Sequence, residues 1–204
     1  MNKLLIIILV LVVVFIVGPI IGAVGYFEFY EHTTKLNNYT GNGVSFKYPA
    51  DYNLTEVKNN STALNFSFFN ATKLKISPAF LIAKNTKNPN QIFLISKSPV
   101  NGTVYHGMNL DEYGNSLIND FKSRGWITFS DNTTLSVDNS DEEVQAYSIS
   151  YATLSSQTDS NSVDGHLEMF DKNGIRYIID FEGKEKQKYD AGGRIQVDTS
   201  FTVL

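Results

Sequence analysis

A single histidine sits among alternating carboxylates in the stretch from Asp164 to Glu182. On an extended strand, Asp164, His166 and Glu168 project to one face while Leu167 and Met169 project to the other. The turn Asp171-Lys172-Asn173-Gly174 follows, and the returning strand carries Asp180 and Glu182. A three-residue turn with Gly174 left-handed sets His166 opposite Asp180 and Asp164 opposite Glu182. It also stacks Leu167 on Ile179 and Met169 on Tyr177. An imidazole among carboxylates could hold a divalent cation. The plainer reading is a hydrated sheet face with an ordinary cross-strand pair, and the lone nitrogen ligand favours it. A metal-dependent carrier or enzyme on the His166/Asp180 face is therefore the alternative function.

The other chemistry-bearing residues are less organised. His106, in Tyr105-His106-Gly107, precedes Asp111 and Glu112 by a few residues. A catalytic histidine needs a nucleophile and an orienting acid beside it, and the sequence holds neither a Gly-x-Ser-x-Gly elbow nor a Ser-x-x-Lys pair. His106 reads as a solvated loop residue, and His32 as interfacial. Gly41-Asn42-Gly43 and Gly192-Gly193-Arg194 lack the strand–helix context of a phosphate loop. No catalytic, cofactor-binding or metal residue is assigned, no cofactor is named, and the chain is not expected to be an enzyme. With no cysteine among 204 residues, a disulfide scaffold, a thiol nucleophile, a Cys-ligated zinc and a lipid-modified cysteine are excluded. A net charge of −4 argues against a nucleic-acid partner.

What would position any site begins with a leader. Leu4 to Phe27 is a run of 24 uncharged residues, about 36 Å long as a helix, enough to cross a bilayer. Lys3 precedes it, and Glu28 and Glu31 follow, so the N-terminus is expected inside and everything after Tyr30 outside. The favoured reading is a retained single-pass anchor over residues 1–30. A signal peptide cleaved near Ala23-Val24-Gly25 is the rival. Residues 31–42 then form a polar stalk and residues 43–204 an extracytoplasmic domain.

Within that domain, Val44, Phe46 and Tyr48 alternate with polar residues up to Pro49, as do Leu64, Phe66 and Phe68, which predicts two strands. Residues 78–83 and 92–95 are apolar runs too short for helices, hence buried strands. Leu110, Tyr113, Leu117, Ile118 and Phe121 fall on one face of a helix over residues 109–125, with Asn109 and Glu112 as a capping box. Further strands are expected over 126–137 and 144–154, then the hairpin, then a short terminal strand at Ser200–Val203. Lys184–Tyr189 could form a helical turn, and Gly192-Gly193 would weaken any longer helix. The sum is an α+β domain with an antiparallel sheet.

Several of these segments resemble PsbP-type domains. Gly43–Pro49 (GVSFKYP) looks like the family's opening strand, and Asn109–Tyr113 (NLDEY) like the start of its first long helix. Tyr147–Tyr151, Gly174–Phe181 (GIRYIIDF) and Ser200-Phe201 follow the order of its C-terminal half. The resemblance spans most of residues 40–204. It implies an α/β/α sandwich with a central antiparallel sheet, closest in kind to membrane-anchored prokaryotic and archaeal PsbP-like proteins. The family's closing helix is interrupted here by Gly192-Gly193, and no photosynthetic role carries over. Fold likeness alone fixes no function.

Eight asparagines head Asn-x-Ser/Thr triplets: Asn38, Asn53, Asn59, Asn60, Asn65, Asn70, Asn101 and Asn132. Some would be surface glycan acceptors in a cell that glycosylates exported proteins. The leading expectation is a membrane-tethered extracytoplasmic binding or scaffold module with a protein partner at the cell surface.

Overall fold

Two Asn-Gly pairs bend the chain in the same way. Asn42 and Gly43 have φ of 51° and 72°, and Asn173 and Gly174 have 53° and 72°. Both central residues are left-handed in each pair, the type I′ geometry whose twist matches that of flanking strands. The first turn joins β1 (Leu36–Gly41) to β2 (Val44–Pro49); the second joins β8 (Val163–Lys172) to β9 (Ile175–Lys184).

The computed structural model describes residues 35–57, 79–136, 143–153, 162–185 and 187–204. The expected anchor, His32 and the strand expected over Leu64–Phe68 lie outside the described residues. Among the described residues, no helix is long and apolar enough to cross a membrane.

The unit from Asn37 to Leu204 is sheet-rich α+β. Its remaining elements are β3 (Tyr52–Glu56), β4 (Ala79–Asn85), β5 (Gln91–Pro99), α1 (Leu110–Ser123), β6 (Trp126–Ser136), β7 (Glu143–Thr153), α2 (Ala191–Ser200) and β10 (Thr202–Val203). A seven-stranded sheet runs β3-β4-β5-β9-β8-β7-β6, and a three-stranded one runs β1-β2-β10. The pairings of the large sheet are antiparallel.

The central strands β8 and β9 are buried over most of their length, so they divide two cores. On one side, Leu117, Ile118 and Phe121 of α1 pack on Ile149, Leu167, Met169 and Ile178. On the other, Val197 of α2 and Phe46 of β2 pack on Phe170, Ile179 and Phe181. Phe46 and Phe201 stack there at 5.7 Å.

Helix α1 begins as its sequence predicts. The Asn109 side chain accepts from the Glu112 amide at 2.9 Å, and Glu112 accepts from the Asn109 amide at 3.0 Å. Such a cap is worth about 1 kcal/mol. Three other expectations need correction. First, β1 forms inside the segment read as a stalk, because Asn42-Gly43 is a hairpin turn and not a linker. Second, the closing helix exists despite Gly192-Gly193, whereas the described residues of Lys184–Tyr189 are not helical. Asp190 caps the Gly193 amide at 2.9 Å, and a Cβ at Gly193 would stand 2.4 Å from the Asp190 carboxylate and 3.2 Å from Pro49. The glycine lets α2 start close against β2. Third, the β8–β9 turn holds two residues and not three. His166 therefore pairs with Phe181, and Leu167 with Asp180.

Candidate functional site

A register shift of one residue sends side chains to the opposite face of a sheet, and here it separates the expected pair. His166 and Glu168 lie on the α2 side with Phe170, whereas Asp180 and Glu182 lie on the α1 side with Ile178. The metal-dependent carrier or enzyme on a His166/Asp180 face loses its geometry. Among the described residues, no group of three or more His, Cys, Asp or Glu side chains is placed to hold a metal ion.

On the α2 side, His166 is the centre of a buried polar cluster. Its Nδ1 lies 2.9 Å from Ser150 Oγ, the cross-strand neighbour on β7. Its Nε2 lies 3.2 Å from Glu168 Oε2 and 3.0 Å from Arg194 Nη1 of α2. Arg194 also donates to Asp198 Oδ2 at 3.2 Å and stands 3.6 Å from Glu168. Thr133 of β6 donates to Glu168 Oε1 at 2.9 Å, and the Tyr189 ring stacks on the imidazole at 5.8 Å. Burial, then the charge of Glu168, pushes the Asp198 carboxyl up to about 8, with Arg194 pulling the other way.

Serine, histidine and glutamate in contact suggest a nucleophile and its base, but Arg194 competes with Glu168 for the same ring nitrogen. A guanidinium has only donors, so its contact uses Nε2 as an acceptor, whereas the Glu168 carboxylate uses Nε2 as a donor. In the tautomer that satisfies Arg194, the ring proton sits on Nδ1 and is donated to Ser150 Oγ. The imidazole then has no lone pair for the serine proton. Ser150 also lies within a paired strand of the sheet. The cluster fastens α2 to the sheet.

On the α1 side, Asp180 and Glu182 are two residues apart on β9 and both fully buried. Tyr151 donates to Asp180 Oδ1 at 2.7 Å, and Lys184 stands 3.4 Å from Glu182 at ion-pair distance. Asp180 Oδ2 has no hydrogen-bond partner. Burial, then the neighbouring Glu182, drives Asp180 well above the usual carboxylate range. Burial raises Glu182 as well, against the pull of Lys184. Gly165 makes the Tyr151 contact possible, since a Cβ there would lie 2.2 Å from the phenol ring.

The sequence reading passed over Arg176 as a site residue. It is fully buried and grips Asp171 with two 2.8 Å bonds, donates to Met108 O at 2.8 Å, and lies over the rings of Tyr105 and Tyr113. Its signal was the Asp171/Arg176 pair flanking the turn. His106 is exposed, with φ of 52°. Asp111 lines polar clefts with Asn132 and Tyr147, and His106 does not. Asn38, Asn53, Asn101 and Asn132 are exposed, while the other four triplet asparagines lie outside the described residues.

The open ground is β6, the last strand of the large sheet. Among the described residues, the exposed large hydrophobics are Ile127, Phe129 and Leu204, at 43 %, 73 % and 68 %. Ile127 and Phe129 border a recess of about 180 Å³ with Ser150, Ala152 and Asp164.

No protein-family model and no curated protein matches the chain. Solved structures do. The chain is similar to the solution structure of cyanobacterial PsbP (CyanoP) from Synechocystis sp. PCC 6803, at 15 % identity and a TM-score of 0.47. The match covers 84 % of this chain and 94 % of that one. It is also similar to LpqN, involved in cell envelope biogenesis of Mycobacterium tuberculosis, at 10 % identity and a TM-score of 0.46. That match covers 84 % and 92 % of the two chains. A PsbP is thus among the structures this chain is similar to.

Proposed function

We propose that this chain is a non-enzymatic binding module, tethered to the membrane by its N-terminal run and facing outward to receive a protein partner. The observation that carries the binding reading is the placement of Ile127 and Phe129. Two large apolar side chains stand exposed together on a strand that, among the described residues, is paired on one side only, beside a recess. Natural sheets usually blunt such an edge, and an exposed apolar site of this kind marks an interaction surface. The ionisable clusters, by contrast, are buried between the sheet and the helices. The tether and the outward orientation rest on Leu4–Phe27 and the charges flanking it.

Two measurements test the reading. Protease added to intact cells should cleave the chain beyond residue 40, and protection of that region removes the outward placement. Crosslinking on intact membranes should return a protein partner, and bait alone across several growth states removes the binding module.

A further inference from the structure

We infer that β6 takes up an extended segment of the partner by strand addition, seating an apolar side chain beside Phe129 and a basic one near Asp131. This rests on the binding-module reading above and names the surface and the chemistry of its partner. Strand addition needs a long open edge, whose main-chain groups supply affinity while alternate side chains supply selection. β6 offers 11 residues at the end of the sheet order, and Phe129, Ser130, Asp131 and Asn132 are exposed in succession.

The side chains on this edge describe the occupant. Ile127 is paired with Ala152, and Phe129 with Ser150, so both border the recess from the α2 side. At about 180 Å³ the recess is smaller than the roughly 300–1,000 Å³ usual for a small-molecule site. It suits one aliphatic side chain. β6 carries no Lys or Arg, and its charged residue is the exposed Asp131. Asp164 adds a second carboxylate at the recess, shared with Lys188.

The same charges disfavour the other occupants. An anionic membrane surface repels carboxylates beside the apolar pair. A second copy pairing symmetrically along the whole of β6 would set Asp131, its middle residue, against its own counterpart, and like charges directly opposed destabilise a strand pair.

The test uses the full chain in phosphatidylcholine nanodiscs. The probe is a short blocked peptide of alternating threonines with a central leucine, a lysine flanking it on each side. Saturable binding below millimolar is expected, weakened about tenfold by Phe129→Ser, as for an anchor side chain. The lysine-to-glutamate peptide should bind more weakly. A peptide N-methylated at alternate amides, unable to pair with the edge, should not bind. Phe129→Ser should leave the melting temperature unchanged, which separates lost binding from lost folding.

The inference is overturned if the lysine peptide shows no saturable binding, or if Phe129→Ser or N-methylation leaves binding intact. It is equally overturned if Phe129 instead mediates attachment to phosphatidylserine vesicles or self-association of the chain. A crosslinked partner that persists with Phe129→Ser removes this surface and leaves the binding module standing. Crosslinking that returns bait alone removes the module itself.

Discussion

The polar cluster beneath α2 and the edge strand β6 lie on adjoining parts of the same sheet, yet they treat their chemistry in opposite ways. Around His166, the charged groups are drawn into contacts with one another, although Arg194 Nε and Asp198 Oδ1 are left without a partner. Arg194 reaches His166, Glu168 and Asp198, and Thr133 completes Glu168. Along β6, Ile127 and Phe129 meet solvent, and among the described residues no strand pairs with its outer edge. A histidine with carboxylates attracts attention as chemistry, but here those groups are consumed by folding. The residues without reactive groups are the ones left free to meet another molecule.

That contrast breaks most easily at Arg194. Replacing it by Met strands Asp198 and Glu168 in a buried site. Above about pH 8, where Asp198 is ionised, removing one partner of a buried pair costs about 3–5 kcal/mol, so Arg194→Met should lower the denaturant midpoint strongly there. A loss below about 1 kcal/mol would show that the cluster is not what fastens α2. Next comes Gly165→Ala, which drives a methyl into the Tyr151 ring and should cost about 1–3 kcal/mol. Its companion readout is loss of the Tyr151 to Asp180 hydrogen bond, visible in the phenol's ultraviolet spectrum.

pH dependence sharpens the comparison further. Asp180, Glu182 and Asp198 all have carboxyls raised above their unfolded values. The folded state therefore holds more protons than the unfolded one, and stability falls as pH rises. For Asp198 the contribution is full below the ordinary carboxylate range, about 4, and is lost as pH climbs through about 8. Denaturation followed from pH 4 to 9 should show this downward slope. Asp180→Asn, which keeps an acceptor for Tyr151 and needs no proton, should flatten it. An unchanged slope contradicts the assignment of Asp180. The smallest effect belongs to Phe129→Ser, expected to change stability by less than about 0.5 kcal/mol, as for a surface position.

The sequence was most legible where periodicity was strong. The apolar spacing of α1, its Asn109–Glu112 box and the alternation in β2 translate directly into elements. The hairpin register was not legible from apolar matching. Both faces of β8 and β9 are buried, and Asp180 opposite Leu167 is tolerated because Tyr151 partners it from β7. Turn chemistry was the better guide, since Asn-Gly fits a two-residue turn. The polar edge strands β1 and β3 bury too few side chains to show a pattern. Helix α2 was obscured by its glycines, which are there for close approach to β2 and the Asp190 cap. The His166 cluster was hidden because Arg194 lies 28 residues further along the chain.

Hydrogen exchange of the full chain, with and without the lysine-flanked leucine peptide, tests the central claim directly. The account predicts added protection confined to the β6 amides, with exchange in α2 and around His166 unchanged. Protection centred on α2 and His166, or none anywhere, would contradict it.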